Sequence, residues 1–215
     1  IEEQGKLTEE LKKQILAAET MVVVEDLYRP YRPKRRTRAM IAKEKGLEPL
    51  AALITLQKAE KPIEVYAEEY VNPEKEVKSV KEAIDGAKDI IAESVSDEAD
   101  YRSWIRKATV QHGKVISQAK DEKAESVYEM YYDFEEPVTK LAGHRVLALN
   151  RGEKEKFLTV KSEAPQDDIL RYLEKKMIHS DNPHTTPILK EVAEDSYKRL
   201  IAPAIEREIR SCLLY

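Results

Sequence analysis

Apolar residues recur three and four positions apart along most of the chain, the spacing of a helix with one buried face. In Thr8–Glu19, "TEELKKQILAAE", Leu11, Ile15 and Ala18 share a face behind Thr8, a residue type that caps helix N-termini. Ser79–Val95 sets Val80, Ala83, Ile84, Ala87, Ile90 and Ile91 in the same rhythm, and a further helix is expected to begin at Ser96 and end near Gly113. Pro49 in "LEPLAALITLQK" and Pro62 ahead of "IEVYAEEYV" stand where a first helical turn tolerates proline, so both segments are expected to be helical. The period returns in "QDDILRYLEKKMI", pauses at "HSDNPHTTP", and resumes to the end with Thr186 as N-cap and Pro187 as first helical residue. Pro203 is expected to break or kink that last helix. Met21–Tyr28, "MVVVEDLY", is ambiguous, since Val22, Val23 and Val24 favour a strand while Thr20 and the following acids favour a short helix.

Strand-like alternation replaces the helical period only in "KVISQAK" and "FLTVKS", which are separated by the tyrosine-rich "SVYEMYYDFEEPV" and by "AGHRVLALNRGEKE". The expected fold is therefore mainly α: a multi-helix, bundle-like array with a small β-hairpin or sheet in the middle of the chain. Helical residues 1–112, a mixed segment 113–164 with short strands, and C-terminal helices 165–215 are the expected divisions. No fixed-period repeat or low-complexity tract interrupts them.

Composition narrows the function classes. With 215 residues, 41% of them hydrophobic, the chain can bury a core in one large domain or two small ones. A net charge of -4 argues against a surface coated uniformly for nucleic acid, so a polyanion site must be a local patch. The 1 cysteine, Cys212, rules out an internal disulfide and a cysteine zinc site, fits a reducing cytoplasm, and reads as a packed apolar residue rather than a nucleophile. No apolar run reaches the roughly 18 residues of a membrane helix. Ile1 in place of Met, and an apolar ending, suggest a fragment of a longer protein.

Against the acidic background, Arg29, Arg32, Lys34, Arg35, Arg36 and Arg38 crowd into one basic stretch. In "YRPYRP" each proline disfavours helix at the arginine before it, so Arg29 and Arg32 are expected to be extended, with polyproline-II geometry aligning Tyr28 with Tyr31 and Arg29 with Arg32. Guanidinium groups grip phosphate oxygens in pairs and stack on bases, and neighbouring tyrosines can stack too. The alternative is that these arginines pair with acids such as Glu25 or Asp26 and merely clamp two layers of the fold. The "AKEKGL" turn that follows looks like a helix-turn-helix, but its second helix would be "EPLAALITL", which offers almost no donors to a DNA groove. Gly46 more simply supplies a left-handed helix terminus, with Leu47 as its apolar contact.

"VEDLYRPYRPKRRTRAMIAKEKGLEPLA", "GHRVLALNRGEKEKFLTV" and "AEDSYKRLIAPAIEREIR", in that order, resemble the Tex family of bacterial transcription accessory proteins across nearly the whole chain. The resemblance implies a largely helical N-terminal region standing before an RNase H-like YqgF domain, helix-hairpin-helix modules and a C-terminal OB-type RNA-binding domain. It implies binding to RNA or DNA without sequence specificity, RNA favoured in the intact protein. RNA polymerase is a further partner it implies, because the family is similar to a eukaryotic elongation factor that associates with polymerase and histones. It also tips Met21–Tyr28 toward helix. A pure interaction scaffold that docks polymerase or other Tex domains is the rival expectation.

Other candidates are weaker. His144 and Arg145, with Arg151 nearby, form a second cationic point; alternatively His144 caps a turn and Arg151 pairs with Glu153 or Glu155. His179 and His184 bracket "SDNP" without further placed ligands, which argues for a loop and no metal. Tyr128, Tyr131, Tyr132 and Phe134 read as core or as a docking surface. No phosphate loop, dinucleotide fingerprint or carboxylate dyad stands out, so no cofactor and no enzymatic activity are expected.

Overall fold

A computed structural model describes residues 1–33 and 36–212. Its elements group into two units, residues 1–102 with 170–201, and residues 103–169 with the chain from Ala202 onward. The protein is mainly α with one small antiparallel sheet, as the periodicities predict.

The first unit is built on α6 (Val80–Asp97), whose stripe Ala83, Ile84, Ala87, Ile90, Ile91 and Val95 is buried as its spacing requires. Against it pack α3 (Arg38–Glu44), α4 (Glu48–Leu56), α5 (Ile63–Ala67) and α10 (Thr186–Asp195). The α3 face is made of Ala39 and Ala42, and a methyl group on Gly86 of α6 would lie 2.4 Å from the Leu47 Cδ1 atom and 3.3 Å from the Ala42 Cβ. Small residues on both sides let the backbones approach closely. Gly46, at φ 81°, ends α3 as expected: its N–H reaches the Lys43 carbonyl and the Leu47 N–H reaches that of Ala42, a Schellman motif. At the amino end, α1 (Glu9–Leu16) is capped by Thr8, and the ambiguous valine stretch is a helix, α2 (Met21–Tyr28), because the Thr20 hydroxyl accepts from the Val23 N–H.

Three boundaries differ from expectation. Ser96 does not start a helix; it lies inside α6, its hydroxyl donating to the Glu93 carbonyl, and α7 (Ala99–His112) begins after an extended Glu98. Thr186 is the first residue of α10 rather than its cap. The Asn182 carbonyl accepts from the N–H groups of Thr185 and Thr186, so winding starts one residue early. Pro203 does not stop the winding either. A π-helical turn, Ser196–Ile201, precedes it and runs into α11 (Ala202–Cys212), and the wider turn relieves the clash of the proline ring with the preceding carbonyls. That turn is fixed to α6 by the Ser196 hydroxyl, which donates to the Ala92 carbonyl at 2.8 Å, and by Arg199, bonded to Asp89 at 3.0 Å.

The loop between α9 (Gln166–Met177) and α10 is held by one buried side chain. Gln57 ends α4 at φ 55°; its Nε2 donates to the Met177 carbonyl at 2.7 Å and its Oε1 accepts from the N–H groups of His179 and Ser180. The Asn182 amide returns the contact to the Gln57 and Ala59 carbonyls. Gln57→Ala strands these backbone groups and is expected to destabilise the chain by about 2 kcal/mol, measured as a lower urea midpoint.

In the second unit β1 (Lys114–Ala119) is central, flanked by β2 (Asp133–Pro137) and β3 (Leu158–Glu163), with Ser117 opposite Phe134 on one side and Val160 on the other. The β2 strand was hidden in the tyrosine-rich segment because only Phe134 in "DFEEP" carries an apolar signal. The Glu136 position facing β1 is instead occupied by a carboxylate bonded to Arg145 at 2.6 Å. Tyr128 and Tyr131 are buried and pack on Phe157 and Phe134, so this segment belongs largely to the core. "GHRVLALNRGEK" is helix α8 (Gly143–Lys154), which lies on β3. α11 is tied to this unit through Arg106–Glu208 and Arg210–Glu153 pairs, both at 2.8 Å. Cys212 is exposed rather than packed, because it follows the last buried residue of that helix, Ile209.

Candidate nucleic-acid interface

The basic stretch leaves α2 and winds into α3 in the first unit. Arg29 is not extended: at φ -51° and ψ -43° it continues the helix into a 3-10 turn, Arg29–Tyr31, despite Pro30. Two forces override the preference of a pre-proline residue. The Arg32 N–H closes the turn on the Tyr28 carbonyl at 3.1 Å, and the Arg29 Nε donates to Asp97 Oδ1 of α6, also at 3.1 Å. Arg32 has the expected polyproline-II geometry, φ -65° and ψ 132°. The stiff rail of two aligned arginines is thus reduced to one extended residue after a helical turn. Tyr31 is half-buried, and its carbonyl accepts from the Gln4 amide.

Among the described residues of the stretch, the clamp alternative holds for Arg29. The Arg29–Asp97 pair is partly buried, whereas Arg36 meets Glu44 at 2.8 Å with side chains 70% and 59% exposed. Such an open pair contributes about 0–1 kcal/mol and yields readily to a phosphate. Arg32 and Arg38 are exposed; Lys34 and Arg35 lie outside the described residues. Asp26 does take an arginine, but it is Arg102 of α7, at 2.7 Å and with both side chains almost wholly buried. Nothing in the sequence marked Arg102, which sits 76 positions away on a helix rich in charge.

Beside the stretch is a cleft of about 500 Å³. Arg29, Arg32, Arg36 and Pro33 form one wall, and Glu93, Ser96 and Asp97 of α6 form the other, with Leu200 of the π turn. A turn before Glu93, burial pushes the Asp89 carboxyl above the usual carboxylate range, against the lowering pull of Arg199 and Arg38.

The second cationic point belongs to the other unit. His144 and Arg151 are exposed on α8, while Arg145 is bonded to Glu136 and lies 5.8 Å from the Phe134 ring centre. His144 occupies the first turn of a helix rather than capping an isolated one. Arg151 does not pair with the two acids expected for it, because Glu153 bonds to Arg210 and Glu155 accepts from the Tyr128 hydroxyl. His179 and His184 lie in the loop organised by Gln57, and among the described residues no three histidine, cysteine or acidic side chains converge as metal ligands. No described helix is long and apolar enough to cross a membrane.

Residues 57–214 match a protein family described as Tex central region-like. The chain belongs to the Tex family. It is 52% identical over 213 residues to the Bacillus subtilis protein YdcI, covering 98% of this chain and 30% of that protein. It is 38% identical over 173 residues to the transcriptional accessory protein Tex of Neisseria gonorrhoeae, covering 78% of this chain and 22% of the relative. It is 30% identical over 229 residues to the human S1 RNA-binding domain-containing protein 1, covering 99% of this chain and 23% of the relative. This Tex-family chain therefore spans less than a third of the length of each. The matched residues include α6, the sheet and α11, while the basic stretch precedes the matched range.

Proposed function

We propose that this chain is a helical scaffold within a cytoplasmic transcription accessory protein, and that Arg32, Arg36 and Arg38 contribute phosphate contacts to RNA or DNA without reading base sequence. RNA is favoured in the intact protein. The observation that carries the reading is that these three side chains stay at the surface, Arg32 and Arg36 lining a cleft, whereas among the described residues of the stretch it is Arg29 that is held by a partly buried acid. The Arg29–Asp97 bond fixes the start of the stretch on α6, so the arginines that follow are offered from a firm base. The names of its relatives, a transcriptional accessory protein and a protein with an S1 RNA-binding domain, agree with this role. It includes no catalytic step.

Fluorescence anisotropy with a labelled single-stranded RNA, titrated with salt, tests it. Three phosphate contacts give a log-log slope of about -2, at about -0.7 per contact. Arg32→Glu combined with Arg38→Glu is expected to weaken binding more than tenfold and to flatten the slope, with an unchanged circular dichroism spectrum and intact RNA throughout. Equal affinity and slope in the variant would reject the reading. The buried Asp26–Arg102 and partly buried Arg29–Asp97 pairs favour a second reading, in which arginines serve the fold and the chain docks RNA polymerase or other Tex domains. In that case the 215-residue chain retains polymerase but not RNA.

A further inference from the structure

We infer that the outer face of α8 is a second contact site for single-stranded nucleic acid, with Arg151 and Lys154 on phosphates and His144 and Leu147 against a base. It goes beyond the reading above, because α8 and the basic stretch belong to different units.

The spacing places the four residues together. His144, Leu147, Arg151 and Lys154 follow one another at three, four and three positions, so they share one side of α8, away from the buried Val146, Leu149 and Gly152. All four are exposed, Leu147 at 59%, and the stripe runs about 15 Å along the helix.

The acids that could neutralise this stripe are committed elsewhere. Glu136 bonds to Arg145 at 2.6 Å and Glu153 to Arg210 at 2.8 Å, while Glu155, at the edge of the stripe, accepts from the Tyr128 hydroxyl at 2.9 Å. Arg151 and Lys154 form no ion pair among the described residues. Two permanent cations thus face solvent, and a polyanion is the complementary occupant. The arginine fork grips phosphate oxygens in pairs and the lysine adds a point charge. The neighbours select nucleic acid over an acidic peptide: an imidazole stacks on an unpaired base, and Leu147 offers it apolar surface. A convex helix face without a cleft suits backbone contact rather than base reading.

The test uses anisotropy of a labelled single-stranded RNA with the 215-residue chain in which the basic stretch is silenced by Arg32→Gln, Arg36→Gln and Arg38→Gln. That chain is expected to retain weak binding with a log-log salt slope of about -1.4, two contacts at about -0.7 each. Adding Arg151→Gln and Lys154→Gln is expected to weaken the remaining binding at least tenfold with an unchanged circular dichroism spectrum. Lys58→Gln with Lys61→Gln, which removes the same charge from exposed positions in the other unit, is expected to leave it intact. Leu147→Ser is expected to weaken binding about threefold at an unchanged slope. No RNA binding by the silenced chain, or binding that survives Arg151→Gln with Lys154→Gln, overturns the inference and leaves the phosphate reading of the stretch standing. An equal loss in the Lys58 and Lys61 control overturns it as an effect of net charge, and oligoglutamate bound as tightly as RNA overturns it in favour of an acidic protein. Undiminished binding by the silenced chain rejects the reading of the stretch alone.

Discussion

Arg102→Met, with Asp26 left in place, is expected to destabilise the protein by about 3–5 kcal/mol, seen as a large fall in the urea midpoint. The Arg102 side chain has no exposure and that of Asp26 only 6%, and the Nε–Oδ1 distance is 2.7 Å. Removing the guanidinium abandons a carboxylate in the interior, where its hydration cannot be recovered. Asp26→Leu together with Arg102→Met is expected to restore most of the loss, because a buried ion pair replaced by apolar groups of similar volume is often neutral or better. The contrast between the single and double variants is the informative measurement. A single variant as stable as the parent would show that the pair is hydrated. The pair also bears on function, since Asp26 lies one turn before Arg29, and the bond to Arg102 fixes the rotation of α2 and with it the direction in which the basic stretch leaves.

Gly113→Ala is expected to cost about 3 kcal/mol, as overpacking that the surroundings cannot relieve. A methyl group there would lie 2.3 Å from the Thr109 carbonyl oxygen and 2.9 Å from that of Glu163. Both atoms are backbone, one at the end of α7 and one in β3, so relief requires the helix to move away from the sheet. Gly86→Ala is the control. Its closest contact, at 2.4 Å, is the end of the Leu47 side chain, which can rotate, so a smaller loss of about 1 kcal/mol is expected. Thermal unfolding of the two variants side by side checks the order, and the reverse order would contradict this account of the α7–β1 junction.

Much of the helical framework was legible because its signals are local. Thr8 and α1, the α6 stripe, Gly46 with Leu47, and strands β1 and β3 all express preferences of a residue or its near neighbours. The misses have a common cause too. β2 was unreadable because Glu136 fills an inward position that only its bond to Arg145 makes tolerable. Ser96 has the composition of a cap and the structure uses it inside a helix. Gln57, an ordinary surface residue by type, became the hub of a loop whose backbone donors lie more than 120 positions away.

The candidate interface shows the same division. The concentration of arginines was plain in the sequence, as was the family to which it pointed, and Arg32 took the backbone its proline dictates. Tertiary structure alone decided which cations are engaged and which face solvent. Arg29 finds its acid 68 residues away, while the acid three positions before it is committed to Arg102. Chain stiffness and charge density are properties of neighbours in sequence and can be read there. Coulomb pairing depends on distance in space, and only folding brings those carboxylates within reach.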